Sequence, residues 1–138
     1  EEKKKVEVHL SSNHINFDSV RILVVDDEEL NRMLLFEVLK DRCLEVVCCA
    51  SGVEAYDLVK EKSFDIIIMD LVMPKLNGAE TTRRIRALPE YANKPIICFS
   101  ANAVEEEERV ENAGVFDDYL IKPVHISSFL KLLNQYLN

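Results

Sequence analysis

Three glycines and four prolines in 138 residues leave little material for flexible linkers. No apolar run approaches the roughly 18 to 20 residues that a membrane span needs, and the Glu/Lys-rich start does not resemble a signal peptide. A cytoplasmic domain, or the cytoplasmic part of a membrane-bound parent, is expected. Cys43, Cys48, Cys49 and Cys98 lack zinc-ligand spacing. Cys48 and Cys49 are neighbours that point to opposite faces of a strand, so all four read as reduced, small apolar residues. Basic residues are the minority, 17 against 25 acids, for a net charge of -8. That balance repels phosphate backbones and anionic membranes and argues against direct nucleic-acid binding. His9, His14 and His125 fit no metal or triad pattern and read as solvent-facing. Glu105 to Glu108 reads as a solvated helix face.

What is present fits one globular domain, with 48% hydrophobic and 30% charged residues. Residues 1–19 read as an N-terminal tail or linker in which Val6, Val8 and Leu10 alternate like a short strand; 20–138 read as the domain. From Arg21 the pattern is regular. ILVVDD is a strand closed by acids, and Glu28 to Arg42 is a helix-length run of good helix formers. Leu44 to Cys49 is a strand, and Ser51 with Glu54 makes a capping box for a helix to Lys62. Phe64 to Met69 is a β-branched strand, Asn77 and Glu80 cap a helix to Leu88, and Pro95 to Phe99 is a buried strand. Ala103 to Ala113 is a helix ended by Gly114. A strand near Asp118 to Ile121 precedes Pro123 and a helix capped by Ser127 or Ser128 that ends near Leu137. Five apolar strands alternating with five helices predict a doubly wound α/β fold, a five-stranded parallel sheet covered on both faces. In such sheets, ligands bind beyond the carboxyl ends of the strands.

That edge carries chemistry. Asp26 and Asp27 follow the first strand, Asp70 the third, Ser100 the fourth and Lys122 the fifth. Converging carboxylates repel one another unless a cation neutralises them. With only oxygen donors at the strand ends, a hard ion such as Mg²⁺ is preferred, Mn²⁺ being possible. A carboxylate can attack phosphorus to give an aspartyl phosphate if the charge developing on the transferred oxygens is neutralised, and Lys122 and Ser100 can contribute to that. Asp70, at the end of the most hydrophobic strand, is the candidate nucleophile. Any one of these residues alone is commonly just a turn or cap residue.

The carriers VVDD, MDLVMPKLNG, FSAN and DDYLIKP resemble the receiver domains of two-component response regulators over about residues 20–138, and with ELNRM most closely the receivers of hybrid histidine kinases. The resemblance implies a flavodoxin-like fold and a phosphoacceptor role for Asp70. It implies Mg²⁺ held by Asp27, Asp70 and the main-chain carbonyl of Val72, with Asp26 acting through water, and a usually cis Lys122-Pro123 bond. Ser100 and Lys122 contact the phosphoryl group, and Tyr119 with Ser100 forms the switch. The implied partner is a histidine kinase or histidine phosphotransfer domain, and such a domain catalyses only its own phosphorylation and dephosphorylation. Val72 replaces a polar residue that in many relatives orients attacking water, so a long-lived aspartyl phosphate is expected, with Asn102 able to take over part of that role. On the first helix, Leu34, Leu35 and Val38 are taken as the inward face. Leu30, Met33 and Phe36 are then surplus and form a candidate docking surface.

Three other readings compete with this one. An aspartyl-phosphate hydrolase places a second Asp two residues after the nucleophile, where this chain has Val72. A flavin module needs a hydroxyl-rich or glycine-rich cradle after the first strand, where this chain is acidic. A phosphorylation-independent docking or dimerisation module need not retain all five site residues.

Overall fold

The structure is a computed structural model and describes residues 15–101 and 106–137. Strands β1 (Phe17–Val25), β2 (Cys43–Cys49), β3 (Ile66–Asp70), β4 (Ile96–Ser100) and β5 (Asp118–Ile121) form one parallel sheet in the order β2-β1-β3-β4-β5. Helices α1 (Glu29–Leu39), α2 (Gly52–Glu61), α3 (Gly78–Arg86), α4 (Glu106–Glu111) and α5 (Ile126–Leu137) alternate with them. This is the doubly wound fold that the alternation of apolar runs predicts.

The strand sequences are apolar at consecutive positions because both faces of the sheet are covered. Ile22, Val24, Ile66, Ile68, Ile97 and Phe99 pack against Leu35 and Leu39 of α1 and Phe129, Leu130 and Leu133 of α5. The intervening residues, Leu23, Val25, Ile67, Met69, Ile96 and Cys98, face Ala55 and Val59 of α2 and Ala79 and Ile85 of α3. Cys48 and Cys49 divide between the two layers as their adjacency requires, and none of the four cysteines is in a disulfide among the described residues. Burial pushes the Cys49 thiol up to about 12, which keeps it protonated.

Side-chain caps start two of the helices. The Ser51 hydroxyl accepts from the Glu54 N–H at 3.2 Å, and Glu54 Oε1 accepts from the Ala50 N–H at 3.2 Å. Asn77 Oδ1 accepts from the Glu80 N–H at 2.9 Å. Among the described residues, no helix is long and apolar enough to cross a membrane.

Four details differ from the sequence reading. β1 begins at Phe17 rather than Arg21: Phe17 is buried and its N–H donates to the Arg42 carbonyl at 2.6 Å, but Asp18 and Ser19 are exposed, so no apolar run marks this stretch. Leu34 is exposed, and Leu39 takes the core position assigned to it because α1 is rotated toward the 35/39 face. α5 starts at Ile126, so Ser127 and Ser128 are exposed residues of its first turn and not caps; the exposed His125 precedes it, its carbonyl accepting from the Phe129 N–H at 2.9 Å. The described part of α4 ends at Glu111, and Gly114, at φ +83°, closes the turn that follows. Val6, Val8, Leu10, His9, His14 and Asn102 lie outside the described residues.

Arg86 ties together the end of the sheet opposite the acids. Its guanidinium donates to the carbonyls of Val115, Tyr91 and Lys94 and to Asp117 Oδ2, at 2.8 Å in the last case. Asp117 Oδ2 also accepts from the Ile96 N–H at 2.8 Å, so one carboxylate anchors β4 beside the segment that leads into β5. Arg86→Met leaves those acceptors partly unpaired and is expected to lower unfolding free energy by about 2 to 3 kcal/mol in urea titrations.

Candidate active site

The parallel topology sends every strand's carboxyl end to one edge, and there the dispersed polar residues meet. Asp26 and Asp27 directly follow β1, Asp70 ends β3, Ser100 ends β4 and Lys122 directly follows β5. Carboxylate oxygens of Asp26, Asp27 and Asp70 lie within 4.8 Å of one another. Asp26, Asp70 and Ser100 are buried, whereas Asp27 is exposed. Asp26 is fixed by its own turn: its Oδ1 accepts from the Glu28 N–H at 2.8 Å.

Lys122 enters from the far side of the sheet. Its ammonium lies 3.1 Å from Asp26 Oδ2 and 3.1 Å from Asp70 Oδ1, with Glu28 Oε1 at 3.6 Å. The Lys122 N–H donates to the Ser100 carbonyl at 2.7 Å, which brings β4 and β5 to the same depth, and the Lys122-Pro123 bond is cis. Burial alone would lower the Lys122 pKa, but pairing with Asp26 and Asp70 outweighs it and the net direction is upward.

Gly78 sets the opposite wall. A Cβ there would collide with the main-chain carbonyl of Asp70, and the Gly78 N–H donates to the Leu71 carbonyl at 2.9 Å. Only glycine lets the start of α3 approach the end of β3 so closely. Lys75, in the same loop, has a left-handed φ of 67°.

Asp70 is pushed up to about 7, first by burial and then by the charge of Asp26, against the opposing effect of Lys122. The donor set fits a divalent cation. Three carboxylates and one ammonium leave a formal charge of minus two, and only oxygen ligands are offered. Asp26 Oδ2 is buried and faces the Lys122 ammonium without an aligned hydrogen bond, so it has capacity for a further donor.

The structure brings together Asp26, Asp27, Asp70, Ser100 and Lys122, with Val72 in the adjoining loop. Tyr119 pairs with Cys98, two residues before Ser100: its half-buried ring packs edge-on against Phe116 at 5.6 Å and lies under the Arg109 guanidinium at 4.4 Å. On α1, Leu30, Met33 and Phe36 are 79%, 56% and 41% exposed, and Leu34 at 40% belongs with them. Sequence reasoning missed Arg32, whose guanidinium donates to the Asp26 carbonyl at 2.7 Å. It also missed the approach of Glu28 to Lys122. The only sequence signal for either was charge close to the acidic pair.

A family model for the response regulator receiver domain matches residues 22–134. The polar-differentiation response regulator DivK of Brucella ovis is 32% identical over 117 residues, spanning 84% of this chain and 94% of that protein. The sensor protein GacS of Pseudomonas syringae pv. syringae is 36% identical over 107 residues, spanning 75% of this chain and 12% of that protein. Among solved structures, the receiver domain of the sensor histidine kinase PA1611 of Pseudomonas aeruginosa, with a magnesium ion in its active site cleft, superposes with a TM-score of 0.77 at 28% identity, covering 86% of this chain and 98% of that one. The receiver domain of the histidine kinase CKI1 of Arabidopsis thaliana, complexed with Mg²⁺ and BeF₃⁻, gives 0.70 at 30% identity over 84% and 89%. The chain belongs to the receiver domain family of two-component response regulators.

Native Asp70 keeps its proton to higher pH than the unfolded chain does. Between 3.8, the ordinary Asp value, and about 7 the folded state therefore binds more protons than the unfolded one. Stability of the metal-free domain is expected to fall as pH rises through that window. In EDTA at pH 8, Asp70→Asn is expected to be more stable than wild type by about 1 to 3 kcal/mol, read from denaturant melts.

Proposed function

We propose that this receiver takes a phosphoryl group from the phosphohistidine of a histidine kinase or histidine phosphotransfer domain onto Asp70, in a Mg²⁺-dependent reaction. The observation that carries the assignment is the position of Asp70: a buried carboxylate ending the central strand β3, 3.1 Å from an ammonium and in one cluster with two further acids.

An Asp70 carboxylate oxygen attacks phosphorus. The new P–O bond forms as the P–N bond to the donor imidazole breaks, and the bonding pair leaves with the imidazole nitrogen. Lys122, already against Asp70, pairs with a phosphoryl oxygen, and the Ser100 hydroxyl donates to another. Asp27, Asp70 and the Val72 carbonyl would hold the metal, with Asp26 contributing through water. Mg²⁺, when bound, supplies positive charge beside the oxygens being transferred. Tyr119, on the strand that pairs with the one ending in Ser100, follows the hydroxyl and remodels the face around α4 and β5. The exposed apolar residues Leu30, Met33 and Phe36 of α1 receive the helical phosphodonor. The similarity to part of a sensor protein supports a parent of the hybrid histidine kinase type. The module then modifies only itself.

Incubated with acetyl phosphate and Mg²⁺, the wild-type chain is expected to gain one phosphoryl group by intact mass. The gain should vanish in EDTA and in Asp70→Asn. A wild-type mass unchanged under every condition would sink this reading. Val72 is 72% exposed and offers no polar group to an attacking water. The phosphorylated form is therefore expected to persist well beyond seconds and to decay faster in Val72→Asn, followed by loss of the added mass over time. Decay within seconds, unaltered by Asn102→Ala, would contradict the role given to Val72.

A further inference from the structure

Arg32 has a conspicuous choice of partners and takes an unexpected one. It lies in the first turns of α1, with acids at 26, 27, 28 and 29 just before it, yet among the described residues it makes no ion pair. Its guanidinium reaches back across the start of the helix to the main-chain carbonyl of Asp26, at 2.7 Å. That carbonyl belongs to the same rigid peptide unit as the Asp27 N–H. The other side of the turn is held as well, since the Asp26 N–H donates to the Cys49 carbonyl at 3.1 Å and Asp26 Oδ1 accepts from the Glu28 N–H. The Arg32 contact adds a third tie, on the peptide that joins Asp26 to Asp27.

We infer that Arg32 is a positioning residue for the metal: it orients the Asp26–Asp27 peptide, and so aims the Asp27 carboxylate at Asp70. Asp27 needs such help, being the exposed member of the acidic cluster and therefore the one that packing does not hold. The inference rests on reading Asp26, Asp27 and Asp70 as a divalent-metal site. It also gives α1 a mechanical link to that site, because Arg32 stands beside the exposed Met33 on the same helix.

Two explanations of Arg32 predict opposite signs. If the guanidinium acts only as a charge, it repels an incoming dication, and a neutral replacement should tighten Mg²⁺ binding. If it positions Asp27, any loss of the forked donor should weaken binding, in the range of about tenfold or more seen when groups supporting metal ligands are removed. The test is calorimetric titration of Mg²⁺ into the 138-residue chain as wild type, Arg32→Gln, Arg32→Lys and Asp27→Asn, with each variant melted in EDTA. The expected result is about tenfold weaker binding in Arg32→Gln and a smaller loss in Arg32→Lys, which keeps the charge and one donor. Tighter or unchanged binding in Arg32→Gln overturns the inference, including the case where its melting temperature falls while Mg²⁺ affinity stays at the wild-type value. Failure of the underlying reading looks different: wild type itself, like Asp27→Asn, would give no Mg²⁺ heat and no rise in melting temperature.

Discussion

Among the described residues, Lys122 is the cation paired with both buried acids, and the geometry of the site depends on it. It lies 3.1 Å from both Asp26 and Asp70, and it opposes the rise that burial and the charge of Asp26 impose on Asp70. At an effective dielectric of roughly 20, each such contact is worth about 5 kcal/mol before desolvation is counted. That attraction offsets part of the repulsion between two buried acids, and Asp70 still ends with a raised pKa. The ammonium does not neutralise the cluster. The residual charge defines what the site accepts, a dication together with a phosphoryl group whose oxygens compete with Asp26 and Asp70 for the same ammonium.

Such an arrangement requires a parallel sheet. Asp26, Asp70, Ser100 and Lys122 come from four strands spread over nearly a hundred positions, and they converge because every strand runs the same way. β1 and β3 are neighbours while β2 lies outside β1, so the chain reverses direction across the sheet at the edge where Asp26 and Asp70 meet. The two faces are covered separately, by α1 with α5 and by α2 with α3, which leaves the carboxyl-end edge as the place where charged groups remain near the surface. Gly78 then determines how tightly the loop after Asp70 folds back against it.

The fold was legible in the sequence because consecutive apolar residues in a short run have one economical explanation, a strand buried on both faces. The five polar site residues were legible as a set because each closes such a run. Less visible were features that depend on rotation or on backbone acceptors. Whether Leu34 or Leu39 faces the core depends on how α1 is rolled against the sheet, and both are leucine. The extra residues of β1 carry a single buried side chain, Phe17, and so leave no periodic trace. Arg32 was opaque for a related reason. Its partner is a carbonyl, which every residue possesses and no sequence pattern marks.

Exposure around the site is uneven, and this bears on the direction of approach. Lys122 and the β4–β5 junction close one side, where Ser100 is buried and its carbonyl is taken by the Lys122 N–H. On the other side Asp27 is exposed, Val72 stands out from the loop after β3, and α1 begins with an exposed Leu30 followed one turn later by Met33. Under the proposed transfer, a donor bringing a phosphoryl group to Asp70 would meet apolar side chains on the open side and a lysine on the closed one. The first can hold a helix without hydrogen-bond specificity, and the second stabilises charge developing on the far oxygens. If α1 receives the donor as proposed, Arg32, which donates from that helix to the Asp26 carbonyl, would place donor contact and the acidic cluster on the same stretch of chain.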